Sequence, residues 1–388
     1  MQIPSEFDEI RPYTPEELPA VYEELLADEQ FRKVVANIRP DLTFEQFATA
    51  LRGCKTNLEV QKTFLYQLMQ HIEDTLTLGT DFDSSKLDTK QTYTFISNHR
   101  DIVLDSAFLS KKLIENGFPS TVEIAIGDNL LIFPWIKKLV RINKSFIVQR
   151  SVSMRQMLIS SARMSRYMHF AVKEKNENVW IAQREGRAKD SNDRTQDSVL
   201  KMMAMGGEGT AIDRLKSLKI VPLSISYEYD PCDYLKAKEF QQKRDDPAFK
   251  KSQQDDLVNM KTGIFGYKGH VHYSAAPCIN PWLENLDGNL QKQELFDRIA
   301  RHIDREIYLG YRFYPNNYVA ADALRPSDKY KGHYTPEDKN RFEEYLSGQI
   351  RKIDLPQKDE AFLRERILTM YAFPLFNNEA VLAEEHAV

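Results

Sequence analysis

Five short runs, each nearly continuous in apolar, β-branched or aromatic residues, recur after Thr92 with helix-like stretches between them: residues 93–97, 122–126, 145–149, 179–183 and 220–228. A strand with water on one face alternates apolar and polar side chains, so a run without that alternation must be covered on both faces. Such runs interleaved with helical segments predict an α/β chain, with a mixed sheet flanked by helices and largely buried. A sixth strand is expected near Gly269–Ser274.

Ahead of the sheet the pattern is helical. Thr14-Pro15-Glu16-Glu17 and Thr43-Phe44-Glu45-Gln46 have the form of capping boxes, and Val60, Phe64, Leu65, Leu68, Met69, Ile72 and Leu76 fall on one helical stripe. With the polar stretch Gly79–Ser85 as separator, this predicts an N-terminal helical domain over 1–85 and an α/β domain with C-terminal helices over 86–388. Residues 230–262, crowded with Lys, Gln and Asp, read as an exposed helical excursion. Further helices are expected in 295–313, 337–352 and 358–372.

Fifty-three Lys and Arg against 57 Asp and Glu leave a net charge of −4, so no global field draws the chain to nucleic acid or an anionic bilayer. Cys54, Cys232 and Cys278 form no CxxC pair, which argues against a disulfide framework or zinc cluster and for reduced thiols. The first residues mix acids with prolines, and no uncharged apolar run approaches the ~20 residues a spanning helix needs. A cytoplasmic chain without a membrane span is the expectation.

The first buried run ends in Ser97-Asn98-His99-Arg100-Asp101, and a helical pattern follows from Leu104-Asp105. A histidine at a strand-to-helix junction, with carboxylates two and six positions on, is placed to act as a base with an orienting acid; a satisfied surface histidine is the alternative. His-Arg-Asp also opens the protein-kinase catalytic loop, but Ser106 stands where that loop needs asparagine, and the chain has no glycine-rich loop or Asp-Phe-Gly.

From Asn129 to Lys173 there are nine bases and no acid, where 57 acids in 388 residues would put six or seven. Phe133, Trp135, Ile136, Leu139 and Val140 lie between the bases, a pattern suited to a solvated basic face or to a lipid surface more than to nucleic acid. Arg184-Glu185-Gly186-Arg187-Ala188-Lys189 follows the fourth run, and a glycine among cations at a strand end lets backbone and guanidinium groups approach phosphate. Gly206-Gly207-Glu208-Gly209 lacks the remainder of a P-loop and reads as a turn. His270 and His272 share a strand face without a third His or a Cys, so no metal site is expected.

In this order the segments resemble the blocks of the glycerol-3-phosphate and lysophosphatidate acyltransferase family, most of all the bacterial glycerol-3-phosphate acyltransferases. Asn98-His99 with Asp105-Ser106-Ala107-Phe108-Leu109 is similar to the His-x4-Asp block. Gly127-Asp128-Asn129-Leu130 with residues 145–151 is similar to the second block, in which an arginine, here Arg150, ends the strand. Glu185-Gly186-Arg187 resembles the third, residues 221–228 the fourth, and residues 272–277 the strand that closes the family core. Five residues rather than four separate His99 from Asp105, so Asp101 competes with Asp105 as the orienting acid. The third block is one residue short, so Arg187 and Lys189 compete for its phosphate-binding place.

The resemblance implies a glycerol-phosphate-acyltransferase-like sheet carrying its site at the strand ends. The implied reaction moves a fatty acyl group from acyl-CoA or acyl carrier protein to a hydroxyl of glycerol 3-phosphate or a lysophospholipid, with no acyl-enzyme, cofactor or metal. His99 would be the general base, with Asp105 or Asp101 beside it. Arg150 and Arg187, then Lys189 and Arg141, would hold the acceptor's phosphate, Glu185 and Gly186 would line the pocket, and Pro222 would shape its wall. A lipid product implies peripheral binding to the inner membrane through residues 129–173. A non-catalytic lipid- or phosphate-binding relative and an acyltransferase with an amine-bearing acceptor are the alternatives.

Overall fold

The computed structural model describes residues 2–38, 42–149 and 154–385. One sheet holds strands β1 (Gly79–Asp83), β2 (Thr94–Ser97), β3 (Val122–Gly127), β4 (Ser145–Val148), β5 (Asn178–Ala182), β6 (Ile220–Tyr227) and β7 (His270–Ala275) in the order β1-β7-β6-β2-β5-β3-β4. Strands β2 to β6 pair in parallel, β7 is antiparallel to β6, and β1 is parallel to β7. The carboxyl ends of β2 to β6 therefore share one rim, which the amino ends of β7 and β1 join. This is the expected mixed α/β sheet, and its six anticipated strands stand within a residue or two of the runs that announced them.

Helices α1 (Leu18–Leu26), α2 (Glu29–Ile38), α3 (Phe44–Gly53), α4 (Asn57–Val60) and α5 (Tyr66–Leu76) precede the sheet. Between strands lie α6 (Leu104–Glu115), α7 (Pro134–Ile142), α8 (Met154–Lys173), α9 (Asp197–Met203), α10 (Ala211–Ser217), α11 (Asp233–Asp245) and α12 (Gln253–Phe265). The chain ends with α13 (Asn280–Glu284), α14 (Lys292–Leu309), α15 (Pro315–Leu324), α16 (Pro336–Arg351) and α17 (Glu360–Glu385). The box at Thr43 forms as expected, Thr43 and Gln46 satisfying each other's backbone. The box at Thr14 is half made: Glu17 accepts from Thr14 N at 2.7 Å, but Arg11 also takes Glu17, at 2.6 Å, and helix α1 begins only at Leu18.

Both sheet faces are covered, which is why its strands lack alternation. Phe95, Trp180, Val221, Leu223, Ile225 and Tyr273 pack one face against Met69 and Ile72 of α5 and Phe108 and Leu113 of α6. Ile96, Val179, Ile181 and Ile220 pack the other against Tyr167 and Met168 of α8 and Phe296, Ile299 and Ile303 of α14. Each fully buried residue of this size is worth about 1.5–3 kcal/mol relative to exposure.

Three expectations are corrected. Gly79–Asp83, anticipated as a polar separator, is edge strand β1, paired with β7 from Gly79↔His270 to Asp83↔Ser274. The N-terminal layer is continuous with the sheet at this edge through α5, and at the other through Ile147 N, which donates to Ile10 O at 2.9 Å. The excursion after Asp230 is partly internal, because α11 buries Asp233, Lys236, Ala237, Glu239 and Gln241. The acid-free stretch is matched by acids from elsewhere: Lys138 pairs with Glu24, Lys144 with Glu177, Arg163 with Glu9 and Arg166 with Glu6. Within it Trp135 and Leu139 of α7 turn inwards onto the N-terminal helices, Trp135 lying 5.9 Å from Phe31.

Asp233, at the start of α11, ties the excursion to the C-terminal helices, accepting from Tyr345 and Tyr371 hydroxyls at 2.8 Å each and from Gln349 Nε2 at 2.5 Å. Burial, reinforced by neighbouring Asp230, pushes its carboxyl up to about 7. An acid raised in the folded state keeps a proton that the unfolded chain has released. Its contribution to stability is therefore full below the ordinary value near 3.8 and is lost as pH rises through about 7. Between pH 5 and pH 8 the urea midpoint should fall more for wild type than for Asp233→Asn; equal falls would contradict this assignment.

Candidate active site at the carboxyl rim

Strand β2 delivers His99 two residues past its end, and the central position of β2 between β6 and β5 sets that turn amid the rim. Asn98 locks it to β6: its amide donates to Ile225 O at 2.9 Å and accepts from Ile225 N at 2.8 Å. On the α6 side His99 Nδ1 lies 2.8 Å from Asp105 Oδ2, and the ring meets the Trp180 indole edge-on at 5.6 Å. The imidazole is 15% exposed and the Asp105 side chain 1%, so the pair is sheltered yet open on the histidine side.

Asp105 accepts from every side. Its Oδ2 also receives Arg100 N at 2.7 Å and Asp101 N at 3.1 Å, and Oδ1 receives the Tyr227 hydroxyl at 3.1 Å. With two backbone N–H groups already on it, Oδ2 meets His99 as an acceptor, which turns Nδ1 to the carboxylate and Nε2 away from it.

Asp101 has another task. Its Oδ1 accepts from Val103 N and Leu104 N at 2.8 Å each, capping α6. Its carboxyl is raised, chiefly by burial and then by the charge of Asp105. The extra residue between His99 and Asp105 is thus absorbed in a turn that Asp101 stabilises, and Asp105 alone of the two meets the imidazole. Arg100, between His99 and Asp101 in sequence, points away, with its buried guanidinium on Ser191 and, at 2.5 Å, on Asp193.

Parallel pairing of β2 with β5 brings the loop after Ala182 to the same rim. Gly186 adopts φ +66° in open space, the left-handed turn that lets this loop present its arginines. Arg187 Nη2 donates to Asn259 Oδ1 at 3.0 Å, while its Nη1 is buried without a hydrogen-bond partner. The guanidinium is near enough to Asp101 for its charge to favour that carboxylate. Glu185 N donates to Gln196 Oε1 at 2.8 Å, and the Glu185 side chain is exposed.

The other anticipated phosphate ligands have different surroundings. Arg141 donates to the carbonyls of Arg11 and Asp8 at 2.7 Å each and stacks over Tyr13, so its guanidinium is committed to the N-terminal segment. Lys189 is paired with Glu239 of α11. Pro222 lies inside β6 opposite Ile96, its carbonyl accepting from Ala276 N at 2.9 Å, one position below the end of β2. Arg150 and Ser151 lie outside the described residues. Of the two strand histidines, His270 pairs with Glu228 and His272 with Asp81. A cavity of about 470 Å³, lined by Arg325, Lys329, Tyr330 and Phe376 among others, includes none of the rim residues.

Residue patterns did not point to Tyr227, Arg100 with Asp193, or Asn259. Tyr227 ends a recognised strand run, where its terminal position was the available signal. Asn259 had none, lying in a segment that looked solvated.

No family model matches the chain, and no curated protein does. Among solved structures, the 1-acyl-sn-glycerophosphate (LPA) acyltransferase PlsC from Thermotoga maritima is similar over 75% of this chain and 97% of that one, at 12% identity and a TM-score of 0.36.

Loss of the Asp101 cap should cost about 1–2 kcal/mol of stability in Asp101→Ala, read by urea denaturation. In Asp105→Ala the downfield Nδ1 proton of His99 should vanish from the NMR spectrum, and it should persist in Asp101→Ala. Its persistence in Asp105→Ala would reverse the assignment.

Proposed function

We propose that this chain is an acyltransferase, moving a fatty acyl group from a thioester donor, acyl-CoA or acyl carrier protein, to a hydroxyl of a phosphate-bearing acceptor, glycerol 3-phosphate or a lysophospholipid. The observation that carries this reading is the His99–Asp105 pair on the rim that also carries Arg187, a guanidinium near Asp101 with an unsatisfied, buried N–H. His99 Nε2 takes the proton of the acceptor hydroxyl as its oxygen attacks the thioester carbon. The imidazolium formed is stabilised by Asp105, and the proton passes to the departing thiolate. Arg187 takes the acceptor's phosphate and holds the hydroxyl in reach of His99. The five-residue spacing, which left room for a non-catalytic relative, is no obstacle once Asp101 caps the turn.

No helix among the described residues is long and apolar enough to cross a membrane. We propose peripheral attachment at the rim. Exposed Met157, Leu158 and Ile159 start α8 beyond β4, while exposed Leu78, Val258, Phe265 and Tyr267 lie by β1, α12 and β7 at the other side of the sheet. With strands about 4.8 Å apart, the two groups flank the β2–β5 site along one edge, with exposed Arg155, Lys250 and Lys261 nearby. That arrangement suits an anionic lipid surface.

Thiol release from palmitoyl-CoA should depend on glycerol 3-phosphate or lysophosphatidate and fall about 10²–10⁴-fold in His99→Ala with the fold intact by circular dichroism. Binding of either acceptor with no turnover in wild type would favour the non-catalytic relative, and release only with an amine-bearing acceptor would change the substrate. Leu158→Asp with Phe265→Asp should weaken co-sedimentation with anionic vesicles; unchanged sedimentation would remove the rim from membrane binding.

A further inference from the structure

Building on the reading of Arg187 as the phosphate ligand, we propose that Asn259 of α12 is a positioning residue that holds the Arg187 guanidinium with its Nη1 N–H left unsatisfied for an anion. Arg187 offers Nη2 to Asn259 Oδ1 at 3.0 Å and leaves Nη1 buried and without a partner. A neutral amide oxygen fixes the plane of a guanidinium without adding negative charge of its own, whereas a carboxylate there would add to the Asp101 and Asp230 carboxyl groups that Arg187 already serves. Loop cations next door show the contrast, since Lys189 is taken up by Glu239.

Asn259 is itself held on three sides. Its Nδ2 donates to Asp255 O at 2.8 Å, which sets which end of the amide faces Arg187, and its carbonyl accepts the Cys232 thiol at 3.3 Å. One turn on, a Cβ at Gly263 would overlap the Asp101 carboxylate, so the α12 backbone rests directly on the cap of the His99 turn. One helix therefore touches both the turn that carries the base and the arginine that binds the acceptor. The excursion between β6 and β7 thereby sets the distance between the acceptor's anion and the base that deprotonates its hydroxyl.

Isothermal titration of the full chain with glycerol 3-phosphate and with inorganic phosphate tests this without relying on turnover. Asn259→Ala should weaken both about tenfold, Arg187→Ala at least as much, and the double variant no more than Arg187→Ala alone. Asn259→Asp, nearly isosteric and able to keep the bond to Nη2, should weaken phosphate binding as well. In turnover, Asn259→Ala should raise the acceptor KM with kcat at saturation unchanged. A purely structural asparagine would give additive losses in the double variant and wild-type affinity in Asn259→Asp, and either result overturns the proposal, as does absence of phosphate binding in wild type. Phosphate binding that follows this pattern without acyl transfer would leave the inference standing and remove the acyltransferase reading instead.

Discussion

The Asp105 carboxylate gathers the His99 imidazole, the N–H groups of Arg100 and Asp101, and the hydroxyl of Tyr227. A charged group this deep in a fold is tolerated when each lone pair finds a donor, and here the donors come from three directions. The β2 turn supplies two, the end of β6 one, and the imidazole the last. Helix α6, sheet and turn are thus registered on a single side chain, and the orientation of the His99 imidazole follows from that registration. Asn98 repeats the device on the opposite side of the turn, exchanging two hydrogen bonds with Ile225.

Charge elsewhere is arranged by distant pairing. The N-terminal segment brings Glu6, Glu9 and Glu24 to the bases between Asn129 and Lys173, and Glu177 reaches Lys144. What looked like a strong local field is thus partly offset by acids from other segments, largely at the surface, with α7 pressed by its aromatic side onto the N-terminal helices. Around the rim the balance differs. Arg100 is paired with Asp193 and Lys236 with Asp230, whereas the hydrogen-bond partner of Arg187 is the neutral amide of Asn259, with the Asp101 carboxylate nearby.

The strands were legible because burial on both faces leaves an unmistakable run of apolar residues, and His99 was legible because it follows such a run directly. The edge strand β1 was not, since Gly79-Thr80-Asp81-Phe82-Asp83 faces solvent over most of its length and reads as polar linker. The excursion misled for a related reason. Lys236 and Glu239 are polar by type yet buried, each satisfied by a partner that local sequence does not announce: Asp230 and the Arg100 carbonyl for one, Lys189 for the other. Arg141 was a candidate ligand because a guanidinium suits phosphate, and only the folded position of residues 8–13 shows that backbone carbonyls and a tyrosine ring already occupy it.

Local order in the chain settled the α/β class, the place of a histidine at the first strand end and the arrival of arginines at its parallel neighbour, because hydrophobic pattern and strand-to-loop chemistry act over a few residues. Folding in three dimensions chose between Asp101 and Asp105 and between the open and the committed cations. Those choices depend on partners far along the chain, Tyr227 lying 122 residues from Asp105 and Asn259 72 from Arg187. A carboxylate or a guanidinium has the same formula wherever it stands, and its task is set by which hydrogen-bond donors and acceptors the packed chain leaves within three ångströms or so.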